Sequence, residues 1–251
     1  MADLIKTKKF ILDRFKEESG GFGATPLLPA TLEDTYFGTK ALFFVDTILL
    51  KEISPKIFTF VSKFFNENLT DPLSLYRIIR VYEFLEKPFP QDAKKIFTNI
   101  IQYFKKLKSH FKRLFAFWYL SNELKVKSLK KRILQSLSEG TFRTLEDLYY
   151  LGQIDREIWR KYENFIRESQ NGDGGFGFYP KTTSYLENTY YAVKMLNGIE
   201  SLKREIASKV LDFFKACENS DGGYSRKPGG ISYLETTALA LESLNIIARS
   251  G

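Results

Sequence analysis

Apolar positions recur along most of the chain at the three-and-four spacing of an amphipathic helix. The pattern is visible in 54–67 (SPKIFTFVSKFFNE), 72–87 (PLSLYRIIRVYEFLEK), 91–107 (QDAKKIFTNIIQYFKKL), 109–123 (SHFKRLFAFWYLSNE) and 126–138 (VKSLKKRILQSLS). Strand-like alternation is nowhere sustained. Asp71 with Pro72, Asp155, and Ser54 with Pro55 suit helix starts. The spacing predicts twelve helices arranged as six hairpins, with glycine-rich connections in units one, five and six and shorter ones in two, three and four.

Two kinds of helix separate. One set, with KKFILDRFKEE, IFTFVSKFFNE, REIWRKYENFIRE and KREIASKVLDFFKACEN, is charged on one face and apolar on the other, as an outer ring facing water should be. The other set, with TYFGTKALFFVDTILL, LFAFWYLSNEL, NTYYAVKMLNG and TTALALESLNII, is poorer in charge and richer in small and aromatic residues, which suits an inner ring. Six hairpins so ordered close into an all-α, (α/α)6 toroid, expected as a single domain over residues 1–251. The alternative is an open solenoid. Neither terminal unit has the polar cap that open arrays normally need.

The hairpins carry an internal repeat. GGFGATPLLPATLEDT starts at Gly20, GGFGFYPKTTSYLENT at Gly174 and GGYSRKPGGISYLETT at Gly222. Each runs without a gap from Gly-Gly-aromatic to Leu-Glu-x-Thr, and RTLEDLYYL at 143–151 repeats the helix start without the glycine loop. A phosphate-cradling reading fails because no Gly-Lys-Ser/Thr follows. The glycines are instead expected to turn the corner between an outer and an inner helix, with Phe22, Phe176 and Tyr224 plugging between helices and Asp173 and Asp221 accepting turn donors.

The net charge of +8 leaves anionic partners open: isoprenoid diphosphates, nucleic acid or a membrane surface. The basic stretches 105–113 and 125–132 read as solvated helix faces, so nucleic acid is not expected. Cys217 is the single cysteine, which excludes an intramolecular disulfide. No apolar span has membrane length and the N-terminal stretch lacks a signal-peptide core, so a cytoplasmic protein is expected.

The turn SQNGDGGFG (169–177), with an inner helix beginning near Thr-Tyr-Tyr-Ala, resembles the repeat shared by protein prenyltransferase β subunits and squalene/oxidosqualene cyclases. ENSDGGYSRKPGG (218–230) resembles a second copy and Gly20–Gly23 a worn third. The resemblance implies an α–α toroid with an aromatic-lined central cavity. In the transferases it also implies a zinc held by an Asp-x-Cys pair and a histidine. Here those positions fall on Glu187-x-Thr189 or Tyr185-x-Glu187, and near Thr236. The only histidine, His110, and Cys217 lie elsewhere, so zinc is not expected and no other cofactor is implied, with Mg²⁺ left open.

The cyclases' Asp-x-Asp-Asp-Thr acid motif resembles TLEDT (31–35), where Glu33 and Asp34 are the carboxylates left. With Glu187 they are the candidate catalytic residues. Leu-Glu also recurs at Glu146 and Glu235, so a structural task at each helix start is the competing reading. Tyr36, Trp118, Tyr149 and Tyr190, with Phe115 and Tyr191, are the candidate cavity aromatics. Lys181, Arg226 and Lys227 are the candidate rim cations for a diphosphate.

The expected function is binding of an isoprenoid, its diphosphate or a similar hydrophobe without zinc-thiolate chemistry, as a carboxylate-using transferase or cyclase if it is an enzyme. The alternative is a non-catalytic toroid that carries lipid or docks a partner, for which a helical protein is a candidate. A carbohydrate-active toroid using two of Glu33, Asp34, Glu146 and Glu187 is a weaker third.

Overall fold

The computed structural model describes residues 3–66, 68–102, 111–126, 129, 132–134 and 141–250. Among them are twelve α-helices: α1 (Leu4–Leu12), α2 (Leu32–Val45), α3 (Thr47–Ser62), α4 (Pro72–Phe84), α5 (Ala93–Ile101), α6 (Phe111–Glu123), α7 (Leu145–Ile154), α8 (Glu157–Lys161), α9 (Glu163–Glu168), α10 (Leu186–Gly198), α11 (Arg204–Cys217) and α12 (Leu234–Ser250). None is long and apolar enough to cross a membrane. His110, the helix expected over 126–138 and most of the two basic stretches lie wholly or largely outside the described residues.

Six helices form a closed inner ring. α2 packs on α4, α4 on α6, α6 on α7, α7 on α10, α10 on α12, and α12 returns to α2. The outer helices lie behind them: α1 on α2, α3 across α2 and α4, α5 on α4, α8 on α7, α9 on α10, and α11 across α10 and α12. This is the expected toroid, and the two helix families fall on the two rings as their charge patterns require.

The repeated loop explains itself atom by atom. Gly20, Gly174 and Gly222 hold φ of 82, 86 and 84°, a region open to glycine. The aromatic that follows is almost fully buried in each copy. Its backbone N–H donates to the threonine of Leu-Glu-x-Thr: Phe22 to Thr35 at 2.9 Å, Phe176 to Thr189 at 2.9 Å, Tyr224 to Thr237 at 3.0 Å. Each threonine hydroxyl then donates to the carbonyl four residues back. Asp173 and Asp221 accept from Gly175 and Gly223 as expected, and also from Ser184 and Ser232. Loop one contains β1 (Phe15–Lys16) paired with β2 (Gly21–Phe22), and loop six β3 (Tyr224–Ser225) with β4 (Ser232–Tyr233), all too short to show alternation.

Three helix boundaries differ from the sequence reading. The stretch 35–50 is not one inner helix: Asp46 ends α2 with extended torsions and caps α3 by accepting from Leu49 N–H at 2.9 Å. Ser54 and Pro55 therefore lie inside α3 rather than at its start. The outer stretch REIWRKYENFIRE is divided into α8 and α9, with Tyr162 at φ −112°, ψ 23° between them.

Candidate ligand-binding lumen

Because the inner helices run side by side in one direction and start in register, equal positions along them meet at equal heights in the lumen. Residues 2, 5 and 9 of a helix share a face, and each set forms a layer.

The fifth residues are Tyr36, Tyr76, Phe115, Tyr149, Tyr190 and Ala238. The five aromatics line both lumen cavities, so they form a collar between them. Tyr149 and Tyr190 meet hydroxyl to hydroxyl at 3.4 Å, and the Tyr36 and Tyr76 rings lie 6.3 Å apart. Burial pushes the Tyr36 phenol up to about 12 and raises those of Tyr76, Tyr149 and Tyr190 too, so all four stay neutral donors.

The ninth residues are Lys40, Arg80, Tyr119, Gln153, Lys194 and Glu242, and all line a cavity of about 490 Å³. That volume lies within the range of small-molecule sites, roughly 300–1,000 Å³. Phe43, Phe44, Phe84, Trp118, Glu83, Asn122 and Glu123 complete its wall toward the C-terminal ends of the helices. Glu242 is bound by Lys40 at 2.6 Å and Lys194 at 2.7 Å. Burial alone would push its carboxyl up, but the two ammoniums override burial and hold it at about 2. Arg80 pairs with Glu83, lies 3.3 Å from the Tyr119 hydroxyl and stacks over the Phe84 ring.

At the glycine-loop end the second residues include Glu33, Lys112, Glu146, Glu187 and Glu235. Glu33 pairs with Arg77, Glu146 with Lys112 at 3.7 Å, and Glu187 with Arg226 at 2.9 Å; Arg226 also reaches Glu235 at 3.7 Å. Burial raises the carboxyls of both Glu187 and Glu235. The cavity behind this mouth is only about 70 Å³.

The expected site residues thus separate. Tyr36, Trp118, Tyr149 and Tyr190 come together on the larger cavity, with Phe115, while Tyr191 lines the smaller one. Glu33 and Asp34 sit in a third pocket with Glu235; Asp34 accepts from the Thr31 hydroxyl at 2.6 Å, and burial raises its carboxyl. Lys181, Arg226 and Lys227 are exposed on the glycine loops, at the end of the toroid away from the 490 Å³ cavity. Lys40, Arg80, Lys194 and Glu242 were missed by sequence reasoning. Their signal is positional: each is the ninth residue after a helix start that the repeat or the Asp-Pro cap marks.

A closed ring of six inner helices around a lumen, backed by outer helices, defines the α–α toroid class. The chain belongs to the family described as the prenyltransferase alpha-alpha toroid domain, whose model matches residues 2–77 and 112–250. Among solved structures it is similar to a variant of the type II terpene cyclase MstE from Scytonema, in complex with geranylgeranyl dihydroxybenzoate as substrate. The TM-score is 0.65 at 9% identity, covering 99% of this chain and 97% of that one, a likeness of fold. No curated protein matches the chain.

Proposed function

We propose that the protein binds an isoprenoid or similarly apolar molecule in the 490 Å³ cavity, with the chain of the ligand laid against the aromatic collar. The observation that carries this reading is the fifth-residue layer: five of six inner helices place a Tyr or Phe at one height around the axis. Aromatic rings offer large apolar area with little side-chain entropy to lose. The terpene cyclase of similar fold holds a geranylgeranyl compound, which agrees with this ligand class.

The chemistry of the lumen favours holding a ligand over protonating it. An acid that starts cyclisation must be protonated near neutral pH, whereas Glu242 at about 2 stays ionised and Glu83 is paired with Arg80. Glu33, Asp34 and Glu187 lie beyond the collar. Zinc has no place in the reading. At the positions that hold it in the related transferases, Arg226 engages Glu187, the Thr189 hydroxyl is bonded to Tyr185 and Phe176, and the Thr236 hydroxyl donates to the Tyr224 carbonyl.

Calorimetric titration with farnesyl and geranylgeranyl diphosphate, with and without Mg²⁺, tests the proposal. Saturable binding is expected, weakened about tenfold in Trp118→Ala through lost apolar contact. Absence of binding by both ligands under both conditions would overturn it. Mass spectrometry of the ligand after incubation is expected to find it unchanged, and conversion to a cyclised product would replace holding by catalysis.

A further inference from the structure

We infer that the ligand is an amphiphile with one anionic head, and that the head seats in the ninth-residue layer at Lys40, Arg80 and Lys194. This rests on the proposed function and adds the polarity and orientation of the ligand, with the head at the end opposite the glycine loops. The first argument is the balance of charge along the axis. The glycine-loop mouth places Glu33, Glu146, Glu187 and Glu235 against Arg77, Lys112 and Arg226, and each of those cations is paired with a carboxylate. Among these groups facing the lumen the carboxylates outnumber the cations, which disfavours an anion there.

The other end is the reverse. Inside the outer lip, where the exposed Glu123 stands, Lys40, Arg80 and Lys194 face only two carboxylates, Glu83 and Glu242. Two ammoniums share the single Glu242 carboxylate, and the side chain of Lys40 is only 7% exposed. The Nε–H of Arg80 is buried without a hydrogen-bond acceptor. Cations withdrawn from water are costly where their hydrogen-bond donors lack acceptors. An anionic oxygen there would accept charge-assisted hydrogen bonds, which are about twice as strong as neutral ones. The 70 Å³ pocket beyond the collar has no room for head and chain together.

Carboxylate, phosphate monoester and diphosphate share this head chemistry, so calorimetry at low salt should compare farnesoic acid, farnesyl phosphate, farnesyl diphosphate and farnesol. At least one anion is expected to bind about tenfold or more tightly than the alcohol, and the tightest identifies the head. Lys194→Met and Arg80→Met are each expected to remove most of that preference, weakening the anion far more than farnesol. Should Arg80→Met fail to fold by circular dichroism, Lys194→Met, altered at a partly exposed side chain, carries the test. Equal binding of alcohol and anions overturns the inference and leaves the proposed function standing. So does a preference lost in Arg226→Met, at the other mouth, but kept in Lys194→Met. Failure of all four probes to bind overturns both.

Discussion

Glu242 is the residue on which the lumen wall turns, because it neutralises lysines from two different helices, Lys40 of α2 and Lys194 of α10. Its carboxyl lies at about 2 against an ordinary 4.5. A lowered folded-state value means the stabilisation is complete above about pH 4.5 and is lost as the pH falls toward 2. Its size is on the order of 3 kcal/mol. Asp34, Glu187 and Glu235 are raised by burial and act in the opposite sense, so the total acid response is a sum. The difference between wild type and Glu242→Gln isolates one term. Urea melts at pH 7 should show the variant less stable by roughly 3 kcal/mol, and the gap should close between pH 4.5 and 2.5. A gap that is constant with pH would mean the two lysines do not set the Glu242 carboxyl. At this scale the aromatics Tyr36, Tyr149 and Tyr190 were legible because they follow the repeated Leu-Glu start at fixed distance. The ion triad was not, since charge inside an inner helix looks like solvent-facing polarity until the six helices are laid side by side.

Individual elements take their ends from small polar side chains. α7 keeps the helix start of the repeat without the glycine loop, and there a reciprocal cap does the work: the Thr144 hydroxyl accepts from Asp147 N–H and the Asp147 carboxylate accepts from Thr144 N–H. Thr144→Ala should cost about 1 kcal/mol in chemical denaturation, and Thr144→Ser should restore most of it. No loss would mean that packing of Leu145 and Leu148 alone fixes the start of α7. The same kind of cap explains the misread boundary near residue 46. Hydrophobic periodicity runs unbroken from α2 into α3, so the pattern alone joins them; one carboxylate, accepting from Leu49 and pairing with Lys8 at 2.6 Å, separates an inner helix from an outer one. Pro55 misled in the same way, because proline favours a first turn and here it lies inside α3. The glycine corners, their buried aromatics and the aspartates of two copies were legible because three copies share one register, whereas the threonines that hold the aromatics were not.

Closure of the whole ring can be read from what each corner glycine touches. A Cβ on Gly20 would fall 2.4 Å from the carbonyl oxygen of Lys56 on α3, and one on Gly174 would fall 2.0 Å from that of Lys209 on α11. In both cases the loop presses on the outer helix that follows it in the chain. In unit six the loop presses instead on the first outer helix, and a Cβ on Gly222 falls 2.3 Å from the carbonyl carbon of Lys6 on α1. The glycines that come next obey the same rule, Gly21, Gly175 and Gly223 lying against Phe60, Phe213 and Phe10. The seam is therefore built as a third copy of the joint that Gly20 and Gly174 make, and its cost on disruption should match. Gly229 supplies the reference, with a positive φ of 77° and open space around its Cα. Gly229→Ala should lose only the backbone term of roughly 1–2 kcal/mol. Gly174→Ala and Gly222→Ala should each lose a further 1–3 kcal/mol or so by overpacking against backbone. Denaturant titrations of the three variants decide the matter: a Gly222→Ala loss that falls to the Gly229→Ala level while Gly174→Ala stays costly would mean the first and last units are not locked together in solution, and the lumen would lose the wall that α2 and α12 build between them.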